Sequence, residues 1–105
     1  MLEKFEAYQA AKEFYWLCKD VKVTRLLRDQ LLRASSSIAL NLAEGSGKRT
    51  PEGQARYYSI AMESLRESQA ILELEKHINP QLSDLANRLG AMLFKLSKKV
   101  PKTAD

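Results

Sequence analysis

The sequence predicts an all-α protein that folds as one domain over residues 1–105, and within that class an antiparallel up-and-down four-helix bundle. Leu (16) and Ala (12) dominate the 105 residues, whereas Val, Ile and Thr together number 10 and Gly and Pro together number 7. This balance favours helices, because β-branched residues are enriched in strands. Apolar residues also recur at helical spacing in four segments joined by short turn signals, and antiparallel packing is the simplest arrangement of four such segments.

The first helix is predicted over residues 3–19. Its small and apolar residues form one stripe suited to a core, and that stripe includes the single cysteine, Cys18. We expect Cys18 to be a buried, inert thiol. Four aromatic residues lie off this stripe, namely Phe5, Tyr8, Tyr15 and Trp16. We expect the aromatic side chains to be used in packing, which would leave no platform on which nucleic-acid bases stack.

Capping signals define the remaining helices, which are predicted over residues 25–44, 51–77 and 80–99, with a tail at 100–105. Thr24 is a good N-cap for the second helix, and Gly45 is placed to follow its last turn at the C′ position. Thr50 precedes a proline and an acidic residue, and Asn79 also precedes a proline, so each is predicted to cap the helix that follows. Pro101 is predicted to end the fourth helix.

Composition excludes several classes of protein. No apolar run is long enough to span a membrane, and the first residues lack the apolar core of a signal peptide. One cysteine cannot form an internal disulfide bond or a zinc site, so we expect a bacterial cytoplasmic protein with no membrane partner. The net charge of +4 is uneven, at −1 for residues 1–20, +4 for 21–49, −2 for 50–78 and +3 for 79–105. The positive excess permits a polyanionic partner.

The basic residues form three groups that together predict a surface for RNA or DNA. One group opens the second helix, one lies in the loop after it, and one shares the face of the fourth helix opposite its core leucines. In chain order the residues are Arg25, Arg28, Lys48, Arg49, Lys95, Lys98, Lys99 and Lys102. Taken singly, each group is more typical of a solvated helix face. We expect strong binding only where symmetry repeats the groups, mainly through phosphates and without base-specific readout.

Polar residues interrupt the apolar stripes of the second and third helices. If these helices form a hairpin, their polar positions meet, and we expect a largely buried, hydrogen-bonded network that fixes the register of the two helices. The residues of this predicted structural network are Arg33, Ser37, Asn41, Glu44, Ser64 and Glu67. Arg49 is an alternative to Arg33 as its cation. Glu67→Ala is then expected to lower the melting temperature clearly.

Three patterns suggest catalysis or nucleotide binding, and each is weak. Glu44 and Glu67 would be paired carboxylates, but dimetal bundles need more carboxylates and a Glu-x-x-His pattern that this sequence lacks. The serines at 35–37 have no obvious base, because the only histidine, His77, ends the third helix. The loop at 45–50 lacks the spacing of a phosphate-binding loop and follows a helix. We therefore expect no enzymatic activity, no cofactor and no metal.

Two segments of the sequence closely resemble the signature of the 23S rRNA intervening-sequence protein family. They are Arg33-Ala-Ser-Ser-Ser-Ile-Ala-Leu-Asn-Leu-Ala-Glu-Gly45 and, after Arg49, Ile60-Ala-x-x-Ser64-Leu-x-Glu67. The opening Phe5-x-x-Tyr8-x-x-Ala11 is similar to the start of that family, with Tyr8 where Trp is usual. One departure is Glu63, which stands where Gly usually precedes the serine. The resemblance covers about residues 5–98.

The resemblance implies an antiparallel four-helix bundle that assembles as a ring-like homopentamer without enzymatic activity. Genes of the family are associated with insertions in ribosomal RNA genes. The accessory proteins of diversity-generating retroelements are similar in structure, so the resemblance implies RNA, DNA, a reverse transcriptase or another protein as partners.

The apolar residues independently predict self-association, because the first and third helices carry more apolar side chains than one core stripe needs. The alternative to a nucleic-acid-binding protein is a protein-interaction scaffold with no nucleic-acid role.

Overall fold

Four α-helices make up almost all of the computed structural model, which describes residues 2–99, with side chains as far as residue 98. A 3-10 turn, Leu2–Lys4, precedes the helices α1 (Glu6–Asp20), α2 (Arg25–Ser46), α3 (Pro51–Leu74) and α4 (Pro80–Lys99). No strand occurs between residues 2 and 99. The predicted all-α fold class is therefore confirmed, whereas the predicted tail at 100–105 lies outside the described residues.

The helices contact one another in a closed order, in which α1 packs on α2 and α4, and α3 packs on α2 and α4. The α2–α3 contact is the most extensive. Near the start of α2, the backbone N–H of Thr24 donates to the Glu75 carboxylate at 2.6 Å. At the other end of α2, Gly45 lies against Tyr58. Residues early in α2 therefore contact residues late in α3, and residues late in α2 contact residues early in α3. The two helices run antiparallel.

One apolar core runs between all four helices. Side chains with no more than 1% exposure come from each of them, including Phe14 of α1, Leu42 of α2, Leu72 of α3 and Leu89 of α4. Burying a side chain of this size stabilises a fold by about 1.5–3 kcal/mol. The periodic apolar stripes of the sequence therefore become the inner faces of the helices.

Gly45 does not end α2, contrary to the prediction. The helix continues to Ser46, and Gly47 forms the C-cap. A Cβ atom added at Gly45 would lie 2.8 Å from Cε1 of Tyr58 and 3.0 Å from Cβ of Tyr57, closer than side-chain atoms pack. Gly45 therefore permits the close approach of two helices rather than a reversal of the chain.

α3 ends at Leu74, three residues earlier than predicted. Lys76 adopts a left-handed conformation with φ of 58°, and its N–H donates to the carbonyl of Glu73 at 3.1 Å. The N–H of His77 donates to the carbonyl of Leu72 at 2.9 Å. This pair of hydrogen bonds is a Schellman motif, in which Lys76 occupies the position that usually holds glycine.

The predicted N-caps behave differently from one another. The side chains of Thr50 and Asn79 each accept a hydrogen bond from the backbone N–H three residues later, at 3.1 and 2.9 Å, as predicted. Thr24 precedes α2 but makes no side-chain cap bond. Within residues 2–99, no helix combines the length and apolar character that crossing a membrane requires.

Candidate nucleic-acid interface

A small polar cluster joins α2 to α3 midway along the two helices. The hydroxyl of Ser64 donates to Oγ of Ser37 at 2.9 Å. The amide of Asn41 donates to Oγ of Ser37 at 2.9 Å and to its carbonyl at 2.8 Å. All three side chains are half-buried. The structure thus brings together three of the six residues of the predicted network, and they connect the two helices at one level.

The charged residues of the predicted network lie outside this cluster. Arg33, Glu44 and Glu67 are exposed, and the carboxylate of Glu44 pairs with the ammonium of Lys48 at 3.5 Å. The expectation that Glu44 and Glu67 are largely buried is therefore wrong for the single chain. The physical reason is that the small serines close the helix contact by themselves, and a carboxylate is costly to bury unless it is paired.

Glu44 and Glu67 do not form a carboxylate pair. Ser37 and Ser64 lie at the same level of the two antiparallel helices. Glu67 lies one turn from that level toward the start of α2, whereas Glu44 lies two turns from it toward the end of α2. This places the two carboxylates about 15 Å apart along the helix axes. Among the described residues, no group of three or more His, Cys, Asp or Glu side chains is placed to hold a metal ion.

Cys18 and Ser35 lie in the interior of the bundle, whereas Ser36 bonds to its own helix nearer the surface. Cys18 is fully buried, and burial raises the pKa of its thiol to about 12, while a hydrogen bond with Ser35 acts in the opposite direction. The hydroxyl of Ser35 donates to the carbonyl of Leu31 at 2.7 Å, and that of Ser36 donates to the carbonyl of Arg33 at 3.1 Å. A thiol held neutral in this way is a poor nucleophile.

The predicted basic residues separate into two regions at opposite ends of the molecule. Arg25 and Arg28 are exposed in the first turns of α2. Lys48 and Arg49 follow the last residue of α2, a helix of 22 residues and hence about 33 Å long. These two groups therefore cannot form one continuous patch on a single chain.

The basic residues of α4 lie toward the same end as Lys48 and Arg49. Gly90, half-way along α4, packs against Leu65, which is nine residues before the end of α3, so α4 runs back along α3. Lys95 and Lys98 are both exposed. Lys99 is the last residue of α4, but its side chain, like the whole of Lys102, lies outside the described residues.

Two of these lysines are close to aromatic rings. The ammonium of Lys48 lies 5.1 Å from the ring centroid of Tyr57, and that of Lys98 lies 4.7 Å from that of Phe94. These distances are within the range of cation–π attraction. Lys48, which also pairs with Glu44, is partly neutralised, whereas Arg49 and Lys95 are exposed.

Three lysines of α1 and the turn before it were not among the predicted binding residues. Lys4 lines a surface depression together with Ser46, which places it at the end of the molecule that holds Lys48. Lys12 and Lys19 lie on α1, each beside aromatic rings. Trp16 is 54% exposed in the single chain, so its ring is not used in packing the core of the bundle. The four-residue spacing of aromatic and lysine residues on α1 is a signal that the sequence does contain.

Comparison with known proteins identifies the family. A family model described as 23S rRNA-intervening sequence protein matches residues 4–102, which include all four helices. No curated protein and no solved structure matches the chain. The matched range also includes both segments that resemble the family signature, namely the run that ends at Gly45 and the run that ends at Glu67. The chain therefore belongs to the 23S rRNA-intervening sequence protein family.

Proposed function

We propose that this chain is a non-enzymatic, self-associating four-helix protein that binds RNA or DNA through a basic surface without reading base sequence. The observation that carries the proposal is the placement of Lys48, Arg49, Lys95 and Lys98 toward one end of the molecule. The family name, which refers to ribosomal RNA, supports the choice of polyanion. We place this activity in the bacterial cytoplasm.

An outward face of α2 and α3 supports self-association. Three side chains on each helix recur at seven-residue spacing, an apolar residue at each end and a charged one between. They are Leu26, Arg33 and Leu40 on α2, and Ile60, Glu67 and Leu74 on α3, and we call this set the α2–α3 outer face. Leu26, Leu40 and Leu74 are 81, 66 and 74% exposed, which soluble monomers avoid for clustered apolar residues.

A second copy of the chain suits the α2–α3 outer face. The face carries one cation, Arg33, and one anion, Glu67, so two copies can pair opposite charges while they bury their leucines. The family resemblance favours a ring-like homopentamer. Rotational symmetry would repeat the basic end of each protomer around the ring and merge small groups into one larger basic surface.

A gel-shift titration tests the nucleic-acid part of the proposal. We expect RNA or DNA to be retarded at about 50 mM salt and much less at about 200 mM, because phosphate contacts release counterions. Lys95→Glu combined with Lys98→Glu should weaken binding at least about tenfold without unfolding, since both side chains are exposed. The control combines Lys22→Glu with Lys76→Glu, an equal change of charge at exposed residues outside the proposed groups.

Light scattering tests the self-association. We expect a particle several times the 11.9 kDa mass of one chain, about five times if the ring is a pentamer. Leu40→Glu with Leu74→Glu should give folded monomers, because it places like charges on the α2–α3 outer face. Phe94→Glu is the control, since Phe94 is 55% exposed on α4 and lies outside that face. A monomer of the unmodified protein at micromolar concentration contradicts the proposal.

A protein-interaction scaffold with no nucleic-acid role is the second candidate. The ion pair between Lys48 and Glu44 favours it, because a neutralised lysine attracts phosphate weakly. If the unmodified protein retards neither RNA nor DNA at about 50 mM salt, this function replaces the first. A pull-down with nuclease treatment would then identify the partner, for which a reverse transcriptase is one candidate.

A further inference from the structure

α1 carries a row of aromatic and basic side chains on the side that faces away from the core. Its members recur at spacings of three and four residues, so they lie on one helical face. They are Tyr8, Lys12, Tyr15, Trp16 and Lys19, and we call this set the α1 aromatic–lysine face. None of these five residues belongs to the basic groups of the proposed function.

The lysines and rings of this face interleave. The ammonium of Lys12 lies 5.8 Å from the ring centroid of Tyr8 and 5.3 Å from that of Trp16. The ammonium of Lys19 lies 5.6 Å from the ring centroid of Tyr15. Trp16 is the most exposed ring of the set, at 54%, so part of its indole is open to solvent beside the Lys12 ammonium. An ammonium group that can bind a phosphate, on Lys12, and a ring on which a base can stack, on Trp16, thus lie within about one helix turn of each other.

We propose that the α1 aromatic–lysine face binds single-stranded RNA or DNA, with phosphates at Lys12 and Lys19 and an unpaired base stacked on the indole of Trp16. The inference rests on the proposed nucleic-acid binding and adds the class of strand and its site. A base can stack on the indole only after it has left the base stack of its own strand. The bases of a duplex stay stacked and paired, so a duplex can make the phosphate contacts but not the contact with Trp16. The face therefore discriminates single strands from duplexes.

Acidic residues set the course of the strand along α1. Glu6, Glu13 and Asp20 recur at seven-residue spacing on the neighbouring side of the helix, and all three are exposed. Glu6 and Glu13 line the cleft between α1 and α4. Lys12 and Trp16 line the same cleft. The carboxylates of Glu6 and Glu13 repel phosphates, so the strand should follow the side of Lys12 and Trp16 that is turned toward Lys19.

The composition of this face fits a nucleic acid better than a second copy of the chain. Its formal charges are both positive, so a protein partner would need an acidic surface. The α2–α3 outer face carries one charge of each sign, from Arg33 and Glu67, and so offers no net complement. The acidic row of α1 in a second copy would complement the lysines in charge, but carboxylates offer no flat group to stack on the indole. A phosphodiester strand provides both the negative charges and the flat bases that the lysines and rings suit.

Fluorescence provides a direct test, because Trp16 is the only tryptophan of the chain. The full-length protein is titrated at about 50 mM salt with a single-stranded oligonucleotide and with a duplex of the same length. We expect the single strand to quench the tryptophan emission and the duplex to leave it nearly unchanged. Trp16→Ala should weaken single-strand binding about 5- to 150-fold, the usual range for loss of one stacked base.

Two further variants separate stacking from charge. Trp16→Phe keeps an aromatic ring and should retain most of the affinity for the single strand. Lys12→Gln with Lys19→Gln should lower the slope of log affinity against log salt by about two, one for each phosphate contact. Circular dichroism and light scattering of each variant establish that fold and assembly are unchanged.

The outcomes distinguish this inference from the proposed function. Binding of single strands without quenching, and with full affinity in Trp16→Ala, overturns the inference and leaves the proposed function in place. A fall in oligomer mass for Trp16→Ala, with nucleic-acid binding unchanged, shows that the face contacts protein and also overturns it. The absence of binding to either form of nucleic acid overturns both.

Discussion

The two sides of the molecule are held together by different means. Along the contact of α2 with α3, the residues at closest approach are small, as at Gly45 against Tyr58 and at Ser37 against Ser64. We call these two contacts the α2–α3 seam. The backbones approach closely there, and a direct hydrogen bond between side chains fixes one level of the two helices.

On the side formed by α1 and α4, apolar contacts hold the two helices, and most of the residues that α1 buries are small. Phe14 of α1 and Leu89 and Leu93 of α4 are fully buried in the core. Toward the surface the two helices diverge, leaving an open cleft of about 680 Å³ lined by residues such as Trp16 and Met92. Contact between α1 and α4 is much less extensive than that between α2 and α3.

The difference shows which side can change without loss of the fold. The α2–α3 seam sets the register of two long helices, and that register decides which side chains of α2 and α3 face outward. The outer surface of α1 sets no helix register, so the exposed Trp16 and the half-buried Lys12 lie there at little cost to stability. Substitutions at matched positions on the two sides make this contrast measurable.

The largest expected effect is at the α2–α3 seam. Gly45→Ala should lower the free energy of unfolding by about 1–2 kcal/mol, because overpacking costs about 1–3 kcal/mol and better helix propensity returns part of it. The clash involves Cβ of Tyr57 and the ring of Tyr58, and Tyr58 is only 5% exposed, so neither side chain can move away freely. Thermal and urea denaturation measure the change.

Gly90→Ala is the control at the contact of α4 with α3, outside the α2–α3 seam. Its added Cβ would lie 3.7 Å from Cδ2 of Leu65, which is ordinary van der Waals contact. The substitution should therefore raise the free energy of unfolding by about 0.5–1 kcal/mol through helix propensity alone. Equal effects of Gly45→Ala and Gly90→Ala would contradict the close packing inferred for the α2–α3 seam.

The hydrogen bond across the seam gives a smaller effect. Ser64→Ala should lower the free energy of unfolding by about 1 kcal/mol, because Ser37 loses its partner on α3. Glu67→Ala, three residues further along α3, should change it by less than about 0.5 kcal/mol in monomeric protein, because Glu67 is exposed. The structure thus reverses the sequence-based expectation for Glu67.

A double-mutant cycle isolates the hydrogen bond from other effects of Ser64→Ala. The single variants Ser37→Ala and Ser64→Ala are compared with the double variant by chemical denaturation. A coupling free energy near zero would mean that the seam depends on backbone packing alone. Glu67→Ala is measured at a protein concentration low enough to dissociate oligomers, so that its effect on assembly is recorded separately.

The sequence predicted the helices better than it predicted where two of them end. Apolar periodicity and the caps at Thr50 and Asn79 are local signals, and the structure agrees with them. The helix end predicted at Gly45 was wrong because a glycine can end a helix or permit a close approach of two helices, and only the partner helix decides which. Lys76 adopts a left-handed conformation that its side chain does not favour, so the end of α3 had no local signal.

The candidate site was only partly predictable for a related reason. The positions of Ser37 and Ser64 indicated a contact between helices, because small polar residues on apolar stripes need partners. Whether Glu44 and Glu67 join that contact depends on how α2 and α3 are rotated about their own axes. One residue position corresponds to a rotation of about 100°, and apolar periodicity does not resolve a difference of that size. The exposure of Trp16 depended on how far apart α1 and α4 stand, which is a property of the tertiary structure.

The smallest expected effect concerns Cys18, which lies in the core where α1 meets α2. Burial raises the pKa of its thiol from about 9 to about 12. Between these values the unfolded chain loses the thiol proton while the folded chain keeps it, so stability falls as the pH rises. The loss should be about 0.4 kcal/mol between pH 7 and pH 9, where half of the unfolded thiols are ionised.

Cys18→Ala separates this loss from the titration of tyrosines and lysines. The variant should be less stable than the unmodified protein at pH 7, because it removes a buried side chain, but its stability should decline less between pH 7 and pH 9. A thiol reagent gives a second measurement. Because the thiol is fully buried and neutral, it should react only as fast as the core opens, and much faster after denaturation. Rapid reaction in native buffer would mean that the α1–α2 contact opens readily, so that rigid packing is confined to the α2–α3 seam.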